Sequence, residues 1–288
     1  MTSTLPDISS KSARSDFWRR YGRLLVTIAF QNVIVYGVNL LDNIMIGRYS
    51  ELSLSGVFIV NQLQFLLQMM LNGVADGTVV ISSRHWGEKN IPGIKKTAAC
   101  GLLIGLSLSG IMMIAALAAP VPLLSIFTDK AYVIEEATKY LRIVCFSYIF
   151  FAASQVMLGM LRSVESAFVG FIASCISLLV NLVLNYMLIF GKFGMPELGI
   201  EGAAIATLAA RIVETGYIVV YLAFFDKKSS SVYTAKQLFF IYFYLSSKSR
   251  LPSILSATGR PRFPSISKQL STTLPSPQLN PNNEYTKP

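Results

Sequence analysis

Six apolar runs, each long enough to cross a membrane as a helix, fill most of the first 226 residues of this 288-residue chain. A hydrocarbon core about 30 Å thick requires about 20 helical residues, and a spanning helix satisfies its own backbone hydrogen bonds. We therefore predict an all-α membrane protein in which residues 24–226 form one lobe of six transmembrane helices. The runs cover residues 24–46, 57–81, 97–119, 137–161, 167–190 and 200–225.

The basic residues of the short connections predict how these helices are oriented. Lysine and arginine concentrate in the cytoplasmic loops of membrane proteins. Here they concentrate before the first run and after each even-numbered run. Both ends of the lobe are therefore expected in the cytoplasm, with residues 1–23 as a polar cytoplasmic leader. The basic residues on that side are Lys11, Arg14, Arg19, Arg20, Arg23, Arg84, Lys89, Lys95, Lys96, Arg162, Lys227 and Lys228.

The composition changes abruptly after the sixth run. Seven of the twelve prolines lie at or beyond Pro252, and Glu284 is the sole acidic residue after Asp226. Spaced prolines interrupt regular structure, and the eight-residue apolar run 238–245 is too short to span a membrane. Residues 229–288 are therefore predicted to be a low-complexity tail, either a disordered extension or the product of a reading-frame shift.

Composition and motifs argue against several classes of protein. The net charge of +10 lies in the loops and the tail, with no basic face interleaved with aromatics, so no nucleic-acid partner is expected. Cys100, Cys145 and Cys175 lie singly in apolar runs and His85 lies in a loop, so no metal site is expected. No phosphate-binding G-x-x-x-x-G-K motif occurs, and we do not expect an enzyme.

Polar residues inside the apolar runs are the candidates for function. Asp42 lies late in the first run, where an ionised carboxylate is costly unless it is paired or hydrated. It either binds a proton from outside or sits at the interface facing external water. Asn181 and Asn185 are four residues apart, so they share a helix face. That face must point into the bundle, where the amides either join helices or contact a transported species.

The sixth run contains two charged residues and a hydroxyl. Arg211 and Glu214 lie three residues apart, and buried charges in membranes are usually paired, so we predict a structural ion pair. Thr207 either bonds back to its own helix or faces a cavity. Asn39 and Gln155, in the first and fourth runs, are further candidates for a cavity wall.

The segment NLVLNYMLIFGKFGMPELGIEGAAIATLAAR, residues 181–211, resembles the junction between the fifth and sixth helices of the MATE (multidrug and toxic compound extrusion) transporters. The loops LRSVESAF and WGEKN are similar to loops of the same family. The resemblance covers about residues 20–228 and implies the N-terminal six-helix lobe of a secondary transporter in a bacterial plasma membrane. Such transporters export cationic or amphipathic drugs in exchange for H⁺ or Na⁺, without a further cofactor.

The resemblance also implies roles for individual residues. Asp42 would be the ion-coupling residue, and Asn39, Gln155, Asn181, Asn185 and Thr207 would line the substrate cavity. The proton-coupled archaeal branch of the family carries an aspartate in place of Asn185 and a tyrosine in place of Val38. The proton relay of that branch is therefore not expected to apply here in detail.

Two alternatives to drug efflux remain open. A lipid-linked oligosaccharide flippase of the same superfamily would favour a cavity rich in Arg and Lys, for which the helices offer Arg211 and Arg142. A truncated remnant that does not transport, or a partner subunit, is the alternative from a different class. Full family members have two lobes around a cavity. The expected partners are therefore membrane lipid, a drug, and either a second copy or a complementary second lobe. The resemblance upstream favours a frame shift as the origin of the tail.

Overall fold

The computed structural model describes residues 11–164 and 166–224, and the tail predicted at residues 229–288 lies outside them. Within the described residues every regular element is a helix. Eight helices occur there: α1 (Lys11–Tyr49), α2 (Glu51–Gly87), α3 (Ile91–Ala118), α4 (Pro120–Ser125), α5 (Ala131–Val144), α6 (Ser147–Ser163), α7 (Ala167–Ile189) and α8 (Gly199–Phe224).

Local sequence signals set where the helices begin. The Ser50 hydroxyl accepts a hydrogen bond from the Ser53 backbone N–H and caps α2, and the Asn90 side chain accepts from Gly93 and caps α3. The turn between α7 and α8 has three glycines with positive φ, at 191, 194 and 199. Gly199 adopts φ 54° at the first residue of α8, a conformation that favours glycine. The chain therefore reverses direction tightly between α7 and α8.

The six predicted spans correspond to helices of the structure, with one correction. Five helices (α1, α2, α3, α7 and α8) are each long and apolar enough to cross a membrane. The fourth span is not one helix, because α5 and α6 meet at a bend of 55°. Four helices also begin six or more residues before their apolar runs: α1 at Lys11, α2 at Glu51, α3 at Ile91 and α5 at Ala131. The short α4 was not predicted.

The bend between α5 and α6 has an identifiable cause although no proline lies there. The Ser147 hydroxyl donates a hydrogen bond of 2.6 Å to the Val144 carbonyl oxygen, which the helix would otherwise use for a backbone N–H. The neighbouring backbone bonds, from Phe146 to Ile143 and from Tyr148 to Cys145, span three residues instead of four. A side chain that enters the hydrogen-bond ladder bends a helix where the surrounding packing accommodates the bend.

The core of the lobe consists of two separate apolar clusters at its two ends. The hairpin-end cluster lies near the α1–α2 and α7–α8 turns. It includes Ile46, Tyr148, Phe151, Ile189 and Ile200. The opposite-end cluster lies near the α2–α3 and α6–α7 turns. It includes Ile94, Leu161, Val169, Ala173 and Ile218. The parts of α7 and α8 between the two clusters contain most of the polar residues singled out from the sequence.

Candidate functional site

Three polar stripes, on α1, α7 and α8, meet between the two apolar clusters. The stripe of α7 follows helical periodicity, with side chains three or four residues apart on one face. It consists of Ser174, Ser177, Asn181 and Asn185, all buried. The stripe of α8 consists of Thr207, Arg211 and Glu214, also buried. The stripe of α1 consists of Asn39 and Asp42, and Asp42 is 8% exposed and faces the other two stripes.

A chain of hydrogen bonds connects Asp42 to α7 and α8. The Asn185 amide nitrogen donates to the Asp42 carboxylate and, at 3.1 Å, to the side-chain oxygen of Asn181. The Asn181 amide nitrogen in turn donates to the Thr207 hydroxyl at 3.5 Å. Each asparagine thus holds two helices together while it directs its N–H groups towards oxygen atoms. Asp42 is fixed in position by neutral donors.

Arg211 and Glu214 form an ion pair next to this hydrogen-bond chain. A guanidinium nitrogen of Arg211 lies 2.9 Å from a carboxylate oxygen of Glu214, and both side chains are almost fully buried. The Arg211 guanidinium carbon lies 4.8 Å from the centroid of the Phe151 ring, within the range of a cation–π contact. Arg211 also acts electrostatically on Asp42. The pair predicted as structural is therefore close to the candidate ion-coupling residue.

The three stripes enclose a cavity of about 20 Å³. That volume holds one water molecule or one small ion. It cannot hold a drug-sized molecule, which needs about 300 Å³ or more. The lining includes Asn39, Asp42, Ser174, Asn181, Thr207, Arg211 and Glu214.

The structure brings together most of the residues singled out from the sequence, but not Gln155. Gln155 is half-buried on α6, which packs mainly against α2 and α3, and it does not line the cavity around Asp42. Helix α6 also contacts α8, but there Phe151 lies against Arg211 and the Phe150 carbonyl accepts a hydrogen bond from Thr215.

Three residues of the site were missed from the sequence. Ser174 and Ser177 line the cavity, and the signal that reveals them is their spacing of seven and four residues before Asn181. Tyr140 of α5 is buried and in hydrogen-bonding contact with the Thr207 side chain. No pattern marks Tyr140, because it lies among other apolar residues on the buried face of an amphipathic helix.

The atoms of the cavity that could coordinate an ion are oxygen atoms of carboxylates, amides and hydroxyls. Such oxygen atoms suit protons and hard cations, while soft transition metals prefer sulfur and imidazole. Across the part of the chain that the structure describes, no group of three or more His, Cys, Asp or Glu side chains is placed to hold a metal ion. The Ser174 hydroxyl and the Asn185 side-chain oxygen are buried and have no hydrogen-bond partner among the described residues.

The chain is similar to bacterial multidrug resistance proteins. It is 29% identical over 195 residues to the probable multidrug resistance protein NorM of Thermotoga maritima, across 67% of this chain and 42% of that protein. It is 26% identical over 224 residues to the probable multidrug resistance protein YoeA of Bacillus subtilis, across 77% of this chain and 48% of that protein. The chain thus spans about half the length of these relatives.

The fold is that of one half of known transporter structures. A MATE crystal structure in the bent conformation superposes with a TM-score of 0.69 at 23% identity, across 82% of this chain and 50% of that chain. A MOP superfamily transporter from Pyrococcus furiosus superposes with a TM-score of 0.65 at 22% identity, across 82% of this chain and 52% of that chain. These similarities show a multi-pass membrane fold, with five candidate spans in the described residues, or six if α5 and α6 together form one.

A family model decides the assignment. The MatE model matches residues 27–187, which is more than half of the chain and includes α2 to α6 with most of α1 and α7. The resemblance to the MATE family is therefore confirmed over these residues, and the match ends at residue 187, before the turn between α7 and α8. This chain belongs to the MatE family.

Proposed function

We propose that the chain is the N-terminal lobe of a secondary transporter that exports cationic or amphipathic small molecules in exchange for H⁺ or Na⁺. The observation that supports this most directly is the buried Asp42 carboxylate, which has only neutral hydrogen-bond donors and faces a cavity the size of one small ion. An ionised carboxylate inside a membrane protein marks an ion pathway more often than a structural contact.

Binding of the coupling ion would change the contacts between three helices. A proton or Na⁺ on Asp42 removes the charge that the Asn185 amide stabilises, so the hydrogen bonds between Asp42, Asn185 and Asn181 rearrange. These bonds join α1 to α7, and the bond from Asn181 to Thr207 joins α7 to α8. Ion uptake therefore alters how α1, α7 and α8 pack, and this rearrangement would expel the drug.

The drug would bind outside this small cavity, between the lobe and a partner. The aligned part of this chain covers 42% of the NorM relative and 48% of the YoeA relative, and transporters of this type place the substrate at the interface of two repeats. The spanning window of α1 is only 6% buried within the lobe, so α1 has a large surface for lipid or for a partner. The partner would be a complementary second lobe or a second copy, in a bacterial plasma membrane.

The observations give less support to the flippase alternative. A pyrophosphate group requires cations that are free to bind it, because its charge must be neutralised within the membrane. Arg211 is already paired with Glu214 at 2.9 Å. Arg142 lines a different, mainly apolar pocket together with Glu135 and Lys139. Neither arginine therefore provides a free cation in the cavity near Asp42.

Drug accumulation in efflux-deficient bacterial cells tests the proposal. Cells expressing the chain should accumulate less ethidium than cells with an empty vector, and Asp42→Asn should raise accumulation to the empty-vector level at equal expression. Asp129→Asn is the matched control, since it makes the same chemical change in an exposed loop. Efflux that survives Asp42→Asn would refute the coupling role.

The oligomeric state separates a transporter from a remnant. If the wild-type chain lowers accumulation, the mass of the purified detergent particle should correspond to two copies, because one lobe has no facing surface for the drug. A monomeric particle from cells without efflux would show that the chain by itself does not transport, and would favour the remnant or partner-subunit alternative.

A further inference from the structure

The ion pair between Arg211 and Glu214 lies in the same cavity as Asp42. Thr207, Arg211 and Glu214 follow one another at four and three residues, so they occupy one face of α8. That face lines the cavity together with Asp42. A pair that serves only to hide two charges from lipid has no need of this position, since any contact inside the bundle would suffice. Three charged side chains thus share one small, enclosed volume.

The three charges do not balance. Two carboxylates and one guanidinium leave a single negative charge when the cavity is empty. Arg211 donates to Glu214 at 2.9 Å and stacks on Phe151, whereas Asp42 accepts its hydrogen bond from the neutral Asn185. The unbalanced charge therefore resides on Asp42. A charge buried inside a helix bundle without a counter-ion is costly, so the site gains from taking up one cation.

We propose that Glu214 is a positioning residue that keeps Arg211 away from Asp42 and thereby sets the cavity to bind one monovalent cation. If Glu214 were neutral, Arg211 would neutralise Asp42 itself and no external cation would be needed. This inference rests on the proposed coupling role of Asp42. The Ser174 hydroxyl, 2% exposed and without a partner among the described residues, lines the same cavity and offers an oxygen ligand to the bound ion.

The surroundings of Asp42 contain few other groups that titrate or are charged. Tyr140 faces it from α5, and Arg211 and Glu214 face it from α8. The facing side chains of α7 are amides and hydroxyls, and α2 presents Asn61 to the neighbouring Asn43. Replacements at 211 and 214 therefore change the charge of the site directly, and Tyr140 is a further titratable group that interacts electrostatically with Asp42.

Variants of different net charge distinguish this role from a structural one. The melting temperature of the purified full-length chain is measured across a pH series, and in NaCl against choline chloride at equal ionic strength. We define the cation response of the site as the change in melting temperature, with pH or with Na⁺, that is lost in Asp42→Asn. We expect Glu214→Gln to abolish the cation response, because Arg211, released from Glu214, would pair with Asp42. We expect Arg211→Gln combined with Glu214→Gln to restore it, because Asp42 is again unbalanced.

Two further variants complete the design. The reversed pair, Arg211→Glu with Glu214→Arg, keeps both the ion pair and the net charge, so it should respond as the wild type does even if the neutral pair folds poorly. Glu136→Gln breaks an ion pair of the same spacing, 2.9 Å from Lys139, outside the cavity. It should leave the response unchanged.

The outcomes separate this inference from the proposed function. A cation response that persists in Glu214→Gln overturns the positioning role and leaves the role of Asp42 intact. Loss of the response in the single variant, the neutral pair and the reversed pair alike means that the ion pair is only structural, which also overturns it. A wild-type chain with no response that depends on Asp42 refutes the coupling function, and this inference with it.

Discussion

Replacing Gly202 with alanine tests the close packing of α7 against α8. A Cβ atom at this position would lie 2.6 Å from the backbone carbonyl oxygen of Leu188 and 2.8 Å from its carbon. The shorter distance falls about 0.8 Å below an ordinary contact of 3.4 Å. The obstacle is backbone rather than the end of a flexible side chain, so a rotamer change cannot relieve it. One of the two helices must move.

The expected cost follows from this displacement. Overpacking of this kind destabilises by about 1–3 kcal/mol, which for a lobe of this size corresponds to a melting temperature lower by about 2–12 °C. The bond from Asn181 to Thr207 crosses the same interface at 3.5 Å, already at the long end of the hydrogen-bond range. A shift of α8 would break that bond, so Gly202→Ala should also weaken the link between the two stripes.

A thiol-reactive dye provides the assay in detergent solution. Cys100 and Cys175 are partly exposed, so both are replaced by serine in every variant. Cys145 is fully buried and reacts only after the lobe opens, so its reaction reports the melting temperature. Gly216→Ala in the same helix is the control, because a Cβ there meets nothing within 4 Å. If Gly202→Ala melts at the same temperature as Gly216→Ala, α7 and α8 are not packed as closely as described.

The geometry also predicts the outcome of two further pairs of substitutions, each a test variant with its control. Asn181→Leu should lower the melting temperature by an amount equivalent to about 1–3 kcal/mol, because it leaves buried polar groups of Asn185 and Thr207 without their partner. Asn39→Leu, at the half-buried rim of the cavity, should lower the melting temperature by less. Equal losses in the two variants would contradict the argument. Gly199→Ala should destabilise more than Gly194→Ala in the same dye assay. Both residues have positive φ, which costs about 1 kcal/mol for alanine, but only at Gly199 would the new Cβ also meet a neighbour, the Tyr49 ring at 2.6 Å. Equal melting temperatures would show that the Tyr49 ring moves aside freely.

The number and positions of the spans follow from the sequence because the membrane imposes a length on each helix. The break within the fourth span does not, since it depends on one hydroxyl reaching one carbonyl. Ser147 has the same residue type as Ser109, whose hydroxyl also bonds three residues back, yet α3 continues past it without interruption. Packing around the residue decides whether such a bond bends a helix, and packing is not visible in a local pattern.

In the candidate site too, some features follow from the sequence and others depend on how the helices pack. The inward face of Asn181 and Asn185 follows from their spacing and from the cost of an unpaired amide in lipid. Their partner on α1 could not be derived, because Asp42 lies 143 positions away from Asn185 in the chain. Likewise, the spacing of Arg211 and Glu214 predicts that they pair, but it does not place the pair beside a third charge. Long-range neighbours depend on how the helices are arranged around one another.

The separation of the core into two apolar clusters has a consequence for movement within the lobe. The hydrogen bonds that link Asp42, Asn185, Asn181 and Thr207 lie between the hairpin-end cluster and the opposite-end cluster. A change in these bonds leaves the side chains of each cluster in contact with their own neighbours. Among α1, α7 and α8, a relative movement at this level therefore changes hydrogen bonds without separating a close-packed apolar core. On the side of α2, α3 and α6 the packing is close at the same level, since a Cβ atom at Gly105 would lie 3.2 Å from Val156. A change at Asp42 is therefore expected to shift α1, α7 and α8 while α2, α3 and α6 keep their contacts.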